Sequence, residues 1–260
     1  MSAGAVVLVI AASDSSGGAG LTRDAQTLGD LGVAMCCAVT AVTVQTDLEL
    51  RATHPVPPQI VRAQIRAALD GGAVAAIKIG MLWSAEAVQA VAESLPPRER
   101  MPIVLDPVLV ASSGGVLLNP AGVQLLRTLL LPRVSLLTPN IPEAAALVGE
   151  VPGNAERGDQ AALELQLQRL LALGPAAVLI KGGHRSGGGG ESVTDTLAVP
   201  GRGPVQLSVP RVHAQRRGTG CSLSTAIAAH LAVGSSLIDA CSSAQSYVAQ
   251  ALRRSAELQR

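Results

Sequence analysis

Aromatic residues are almost missing from this chain of 260: there is no Phe, one Trp and one Tyr. A base-stacking platform of the kind that single-strand nucleic-acid binders use cannot be built from so few rings. Charge is scarce too, at 15% of residues with a formal net charge of +1. A near-neutral chain with no basic block has no general grip on nucleic acid or on an anionic membrane. No apolar run reaches the length of a membrane span. Met1–Ala12 is apolar but has no basic segment ahead of it, so it reads as a first buried strand and not as a signal peptide. The four cysteines, Cys36, Cys37, Cys221 and Cys241, show no Cys-x-x-Cys spacing and make no disulfide framework. A reducing, cytoplasmic compartment fits them. Cys36 and Cys37 lie in an apolar run and read as buried strand residues.

What the chain does have is a large apolar fraction, 48%, arranged in a regular alternation. Short β-branched runs at Ala5–Ile10, Val33–Val44, Ala75–Ile79, Ile103–Asp106, Val134–Leu137 and Ala177–Lys181 predict strands buried on both faces. Helix-period segments at Gly20–Leu31, Pro57–Leu69, Ala85–Ser94, Ala121–Leu129 and Gln160–Leu173 fall between them. Such βα alternation predicts one doubly wound α/β domain over 1–260, with a mainly parallel sheet. Near the end, Thr194–Val199 and Val205–Val209 flank a Pro-Gly-Arg-Gly-Pro turn and predict an antiparallel hairpin. Two helices follow, Gly220–Ala232 and Ser236–Ser255. The one low-complexity patch, Gly187–Gly190, reads as a flexible loop.

Five short segments carry chemistry-bearing residues. Arg217-Gly218-Thr219-Gly220-Cys221-Ser222 runs into an apolar helix. A glycine-rich turn there aims unpaired N–H groups, and the positive end of the helix dipole, at one point. That arrangement holds an anion such as a transferring phosphoryl group. It also favours a thiolate at Cys221, which would serve as a general base. The same residues suit a plain helix start with Cys221 as a small packing residue. Thr138-Pro139-Asn140-Ile141-Pro142-Glu143 follows a strand and brings hard oxygen ligands together, as magnesium requires. It equally suits a cap, with Asn140 as N-cap and Glu143 in the first turn. Lys181-Gly182-Gly183-His184 lets a nucleotide approach the backbone beside an ammonium, although it is no Walker motif. Ser13–Gly20 lacks dinucleotide spacing and reads as the wall of a small-substrate pocket. Asp106, at a strand's carboxyl end, is placed to hold a hydrated metal or to cap the next element.

In this order, from Val6 to about Ala251, the segments resemble the ribokinase-like superfamily. Together with Lys78-Ile79-Gly80-Met81-Leu82 and Leu105-Asp106-Pro107-Val108, they are most similar to the hydroxymethylpyrimidine/phosphomethylpyrimidine kinases of thiamine biosynthesis. The resemblance implies a three-layer α/β/α fold with a small β flap at Val44–Thr53, and an ATP- and Mg²⁺-dependent phosphotransferase. It implies Cys221 as base and Gly218, Thr219 and Gly220 as anion hole. Gln45 would bond the aminopyrimidine, with Ala12, Ala19, Met81 and Val108 at the pocket walls. Asn140, Lys181, Gly183 and Arg217 would face phosphates, and Glu143 and Asp106 would hold magnesium through water. An amide both donates and accepts, as an aminopyrimidine edge requires, and Met adapts to a flat ring. Family members are commonly dimers, and the resemblance alone carries that state.

The sequence departs from the family pattern at Arg217, where a His is usual, at Ala12, where Gly is usual, and at Gln26, where Lys is common. It also has no His-rich tail. Arg cannot relay a proton but holds phosphate bidentately. These departures keep two alternatives in view: a pyridoxal/pyridoxine-type kinase, and a pyrimidine-binding module impaired in catalysis.

Overall fold

A computed structural model describes residues 4–110, 115–150, 159–183, 191–214 and 216–258. The apolar runs form one sheet of nine strands: β1 (Val6–Asp14), β2 (Ala34–Gln45), β3 (Leu50–Pro55), β4 (Val74–Ile79), β5 (Ile103–Leu105), β6 (Leu136–Leu137), β7 (Val178–Ile180), β8 (Ser192–Ala198) and β9 (Val205–Pro210). Their order is β3-β2-β1-β4-β5-β6-β7-β8-β9. The stretch from β2 to β7 is parallel. The β8–β9 hairpin and β3 add antiparallel strands at opposite edges.

Strand periodicity sorts the core into two layers. Val7, Val9 and Ala11 of β1 pack with Leu28 of α1 (Gly20–Asp30), Ile227 of α7 (Thr219–Ala232) and Tyr247 of α8 (Leu237–Leu258). Leu8 and Ile10 point the other way. They join Val61 and Ile65 of α2 (Pro58–Asp70), Val88 and Val91 of α3 (Ala85–Ser94), and Leu163 and Leu167 of α6 (Gln160–Ala172). Between them in the chain lie α4 (Pro120–Leu125) and α5 (Ile141–Val148). The three-layer arrangement expected from the resemblance is therefore present. Among the described residues, no helix is long and apolar enough to cross a membrane.

Two expectations need correction, and the expected β flap gains detail. The helix predicted at Ala121–Leu129 begins as α4, then widens into a π-helical turn at Leu126–Leu130 and a 3₁₀ turn at Leu131–Arg133. Pro132 has no N–H to give the α-helical ladder, so the regular pattern cannot run through it. Cys36 and Cys37 are not buried: the first is half-buried and the second exposed. β3 pairs with β2 only from Ala41 onward, which leaves the Cys36–Cys37 stretch as an open edge. The flap contains a strand of its own, β3, closed onto β2 by a turn in which Thr46 N–H bonds Glu49 C=O at 2.9 Å. The low-complexity patch at 187–190 and His184 lie outside the described residues.

The chain order reverses between β1 and β4: β2 lies beyond β1 on one side, and β5 follows β4 on the other. In an open α/β sheet that reversal leaves a crevice at the carboxyl ends of the strands. Asp14, Gln45, Met81, Asp106 and Lys181 all sit at or just past those ends.

Candidate active site

A cavity of about 1060 Å³ occupies this crevice. It is lined by the residues to which the resemblance gives a site role. Ala12, Ala19, Gln45, Met81 and Val108 are present, as are Asn140, Glu143, Lys181 and Gly183. So are Asp106, Arg217, Gly218, Thr219, Gly220 and Cys221.

The Gly218–Gly220 turn is built by two close approaches. Gly218 has φ +74° and lies against the Gly18 carbonyl, so a side chain there would be both strained and blocked. Gly220 faces charge: a Cβ at this position would stand 3.3 Å from Lys181 Nζ and 3.6 Å from Asp106 Oδ2. Lys181 Nζ donates to Asp106 Oδ1 at 2.8 Å and lies 3.6 Å from Glu143 Oε2. Burial works against the Lys181 ammonium, but Asp106 and Glu143 outweigh it and hold the pKa above its ordinary value. A permanent positive charge therefore stands over the N–H groups of a helix start.

Lys181 is held by its neighbours. Its N–H bonds Pro139 C=O at 2.9 Å. Gly182 N–H donates to the buried Asp195 Oδ1 at 2.7 Å, and the Gly182 Cα is pressed against the Thr194 backbone. Asp195 also lines the cavity. The sequence reading missed it because, within a hairpin strand, it looks like one more outward polar residue.

Asn140 and Glu143 form a full capping box. Asn140 Oδ1 accepts from Glu143 N–H at 2.8 Å, and Glu143 Oε2 accepts from Asn140 N–H at 2.8 Å. The capping alternative is therefore realised, and it fixes the carboxylate where it meets Lys181 and the cavity. Burial pushes the Glu143 carboxyl up, opposed by Lys181. Among the described residues, no group of three His, Cys, Asp or Glu side chains converges as a metal cage. Two carboxylates that share an ammonium do fit magnesium, which keeps several waters and takes further ligands from substrate phosphates.

The surroundings of Cys221 work against the thiolate. Burial pushes its thiol up to about 11, with Asp24 and Asp106 adding to the shift and Lys78 opposing it. The Arg217 guanidinium, from the same segment, is bonded to the cavity rim instead. The upward shift favours the protonated thiol over the thiolate in the resting protein. Beneath it lies a polar cluster that the sequence reading did not anticipate. Lys78 Nζ bonds both Asp24 oxygens, at 3.0 and 2.8 Å, and Thr225 Oγ1 donates to Asp24 Oδ1 at 2.7 Å. Lys78, Asp24 and Thr225 are all fully buried. Thr225 is four residues after Cys221 and so sits one helical turn below it. Burial disfavours the Lys78 charge, but Asp24 outweighs it and the pKa stays above its ordinary value. Burial pushes the Asp24 carboxyl up, and Lys78 and Thr225 pull it back. The motif Lys78–Leu82 was legible; a buried ammonium within it was not.

On the other side, Gln45 is tied down through its backbone. Its N–H donates to Ser15 Oγ at 2.9 Å, and Ser15 Oγ donates to its C=O at 3.0 Å. The side chain is left beside Thr43, which approaches Oε1 at 3.5 Å. Met81 is held by Thr40 Oγ1 on its C=O at 2.6 Å. Just after it, Trp83 adopts φ +71°, an uncommon conformation for a bulky residue. The Arg217 guanidinium donates to Asp14 Oδ2 at 3.2 Å, Ser16 Oγ at 2.8 Å, Thr46 C=O at 3.0 Å and Asp47 Oδ1 at 3.1 Å. The expectation that it faces phosphate meets an arginine already spanning three segments of the cavity rim. Arg216, which also lines the cavity, bonds Ala251 C=O on α8.

The reversal of strand order, the glycine turn at α7 and the lysine over it define a small-molecule kinase of the ribokinase-like kind. The phosphomethylpyrimidine kinase family model matches residues 14–260, and the chain belongs to this family. It is 41% identical to the hydroxymethylpyrimidine/phosphomethylpyrimidine kinase of Rhizobium meliloti, over 95% of this chain and 90% of that protein. The phosphomethylpyrimidine kinase of Clostridium difficile superposes with a TM-score of 0.80 at 32% identity, covering 95% of this chain and 99% of that one. The pyridoxal kinase of Staphylococcus aureus in complex with ADP superposes at 0.82 with 30% identity, covering 95% and 88%.

Proposed function

We propose that this protein uses ATP to phosphorylate 4-amino-5-hydroxymethyl-2-methylpyrimidine, and then its monophosphate, for thiamine biosynthesis, with the chain acting as one kinase domain in the cytoplasm. The observation that carries this reading is the convergence of Lys181, Asp106 and Cys221 on the Gly218–Gly220 turn, inside one cavity that also contains Gln45 and Met81.

The pyrimidine lies against Ala12, Ala19, Met81 and Val108, with its amino edge on the Gln45 amide. Lys181, Asn140 and the Gly183 backbone take the nucleotide phosphates. Glu143 and Asp106 would hold magnesium through water, and a bound metal would neutralise phosphate charge. An oxygen of the acceptor bonds to the γ-phosphorus as the bond to the β–γ bridging oxygen breaks. The backbone N–H groups of Gly218, Thr219 and Gly220 stabilise the charge on the transferring group. Most of the catalysis in such transfers is positioning and electrostatics, which is what these residues supply. Cys221 acts as base only as a thiolate: its thiol first gives up its own proton to solvent, and the thiolate then accepts the hydroxyl proton as the acceptor oxygen bonds to phosphorus.

The test is ADP release with ATP and magnesium on a panel of acceptors: the pyrimidine alcohol, its monophosphate and pyridoxal. Turnover of the pyrimidines is expected, and no turnover with either would overturn the reading. Pyridoxal is the second reading because the pyridoxal kinase of Staphylococcus aureus is a structural neighbour, in one structure in complex with pyridoxal. A higher kcat/KM on pyridoxal than on the pyrimidine alcohol would favour it.

A further inference from the structure

We propose that Arg217 is a selectivity residue: it binds the acceptor's own phosphate in the second transfer, and gives up Asp47 on the flap to do so. This rests on the two-substrate kinase reading above and names the residue that admits the second substrate.

The argument starts from hydrogen-bond counting. Arg217 NH1 carries two hydrogens, yet three acceptors surround it: Ser16 Oγ at 2.8 Å, Thr46 C=O at 3.0 Å and Asp47 Oδ1 at 3.1 Å. At least one of these contacts is shared, so the nitrogen is over-subscribed. Its two carboxylate partners are unequal. Asp14 is 5% exposed and is braced by Ser16, whose N–H and hydroxyl both donate to its Oδ1. Asp47 is 80% exposed and sits in the turn between β2 and β3. An ion pair that exposed contributes little and is readily exchanged. Asp47 is therefore the replaceable ligand, and Asp14 the permanent one.

Position supplies the second half. Arg217 immediately precedes Gly218, so its side chain leaves the backbone at the turn read as the anion hole, and it lines the same cavity. Its guanidinium rests against Gly18, where a Cβ would come within 3.0 Å of NH1. The absence of a side chain at Gly18 leaves that space to the arginine. An uncharged acceptor leaves the latch closed, with the Thr46–Asp47 turn pinned over the cavity rim. A phosphorylated acceptor brings two negative charges into reach of the same nitrogens. Its oxygens match the guanidinium fork better than one exposed carboxylate does, and like charge expels Asp47. The flap turn is released as the phosphate is bound.

The experiment measures kcat/KM for the pyrimidine alcohol and for its monophosphate, and follows their ratio. In Arg217→Met the ratio of monophosphate to alcohol is expected to fall about tenfold or more, the scale of a lost charged hydrogen bond. Arg217→Lys is expected to fall between wild type and Met, because it keeps the charge but not the fork. In Asp47→Asn the ratio is expected to rise about threefold or more, since the phosphate no longer competes with a carboxylate. Equal losses on both substrates in the Arg217 variants, or an unchanged ratio in Asp47→Asn, would make the arginine a structural clamp and overturn the proposal. Wild-type turnover of the alcohol alone would also overturn it. Wild-type turnover of neither pyrimidine would instead count against the kinase reading itself.

Discussion

Lys181 Nζ and Asp106 Oδ1 lie 2.8 Å apart beside the Gly220 turn, so the ammonium proposed for the nucleotide is fixed by the carboxylate proposed for the metal. Neither can be altered without moving the other. Lys181→Met should lower turnover about a hundredfold, the scale of losing one preorganised charge at a transferring group. Asp106→Asn keeps the shape but releases the ammonium toward Glu143, and should raise the KM for ATP as well as lower kcat. A coupled ADP assay on both variants separates these effects; wild-type kinetics in Lys181→Met would remove the lysine from the chemistry.

The same pair has an alkaline signature. The folded-state pKa of Lys181 is raised, so its contribution to stability is fully present below the unfolded value of about 10.5. It is lost as the pH rises from there through the folded value. The difference in Tm between wild type and Lys181→Met should therefore be constant from about pH 7 to 9, and should narrow near pH 11.5. A gap that widens with rising pH would contradict the raised value.

Lys78 and Asp24 have no solvent to fall back on. Removing one partner strands a buried charge, and Lys78→Met alone should cost about 3–5 kcal/mol. Lys78→Met combined with Asp24→Leu should recover most of that loss, because two apolar groups need no partner. Thr225→Val, which deletes one hydrogen bond to Asp24, should cost about 1–3 kcal/mol. Denaturant melts of the variants measure all of this; an additive double variant would mean the two side chains do not act as a pair.

How much of this was legible follows from what each residue does locally. Ala85–Ser94 is read from the sequence at its true bounds because Ser84 caps it and its apolar period is unbroken. Gln45, Met81, Asp106 and Lys181 line the cavity because strand ends in an open α/β sheet are read directly from the apolar runs. Tertiary partners were hidden. Nothing in Lys78-Ile79-Gly80 says that its lysine ends on Asp24 of a distant helix. Nor does Arg-Gly-Thr-Gly indicate that Arg217 reaches Asp14 and the flap. The π-helical turn before Pro132 and the open edge at Cys37 likewise depend on neighbours and not on local pattern.

Cys221 should matter to one substrate more than to the other. The alcohol must lose a proton as its oxygen bonds to the γ-phosphorus, whereas a phosphate monoester, with a second pKa of about 6, already offers an anionic oxygen near neutral pH. A general base is therefore useful only in the first transfer. Cys221→Ala should lower kcat for the alcohol about a hundredfold, the lower range for a lost base, and kcat for the monophosphate by roughly tenfold or less. The thiol's raised value, about 11, gives an independent reading. Its alkylation by iodoacetamide, taken as wild type minus Cys221→Ala, should be slow at neutral pH and climb toward pH 11. Fast alkylation at pH 7 would mean that the thiolate is preformed. Equal losses on the two acceptors would mean that Cys221 shapes the turn and moves no proton.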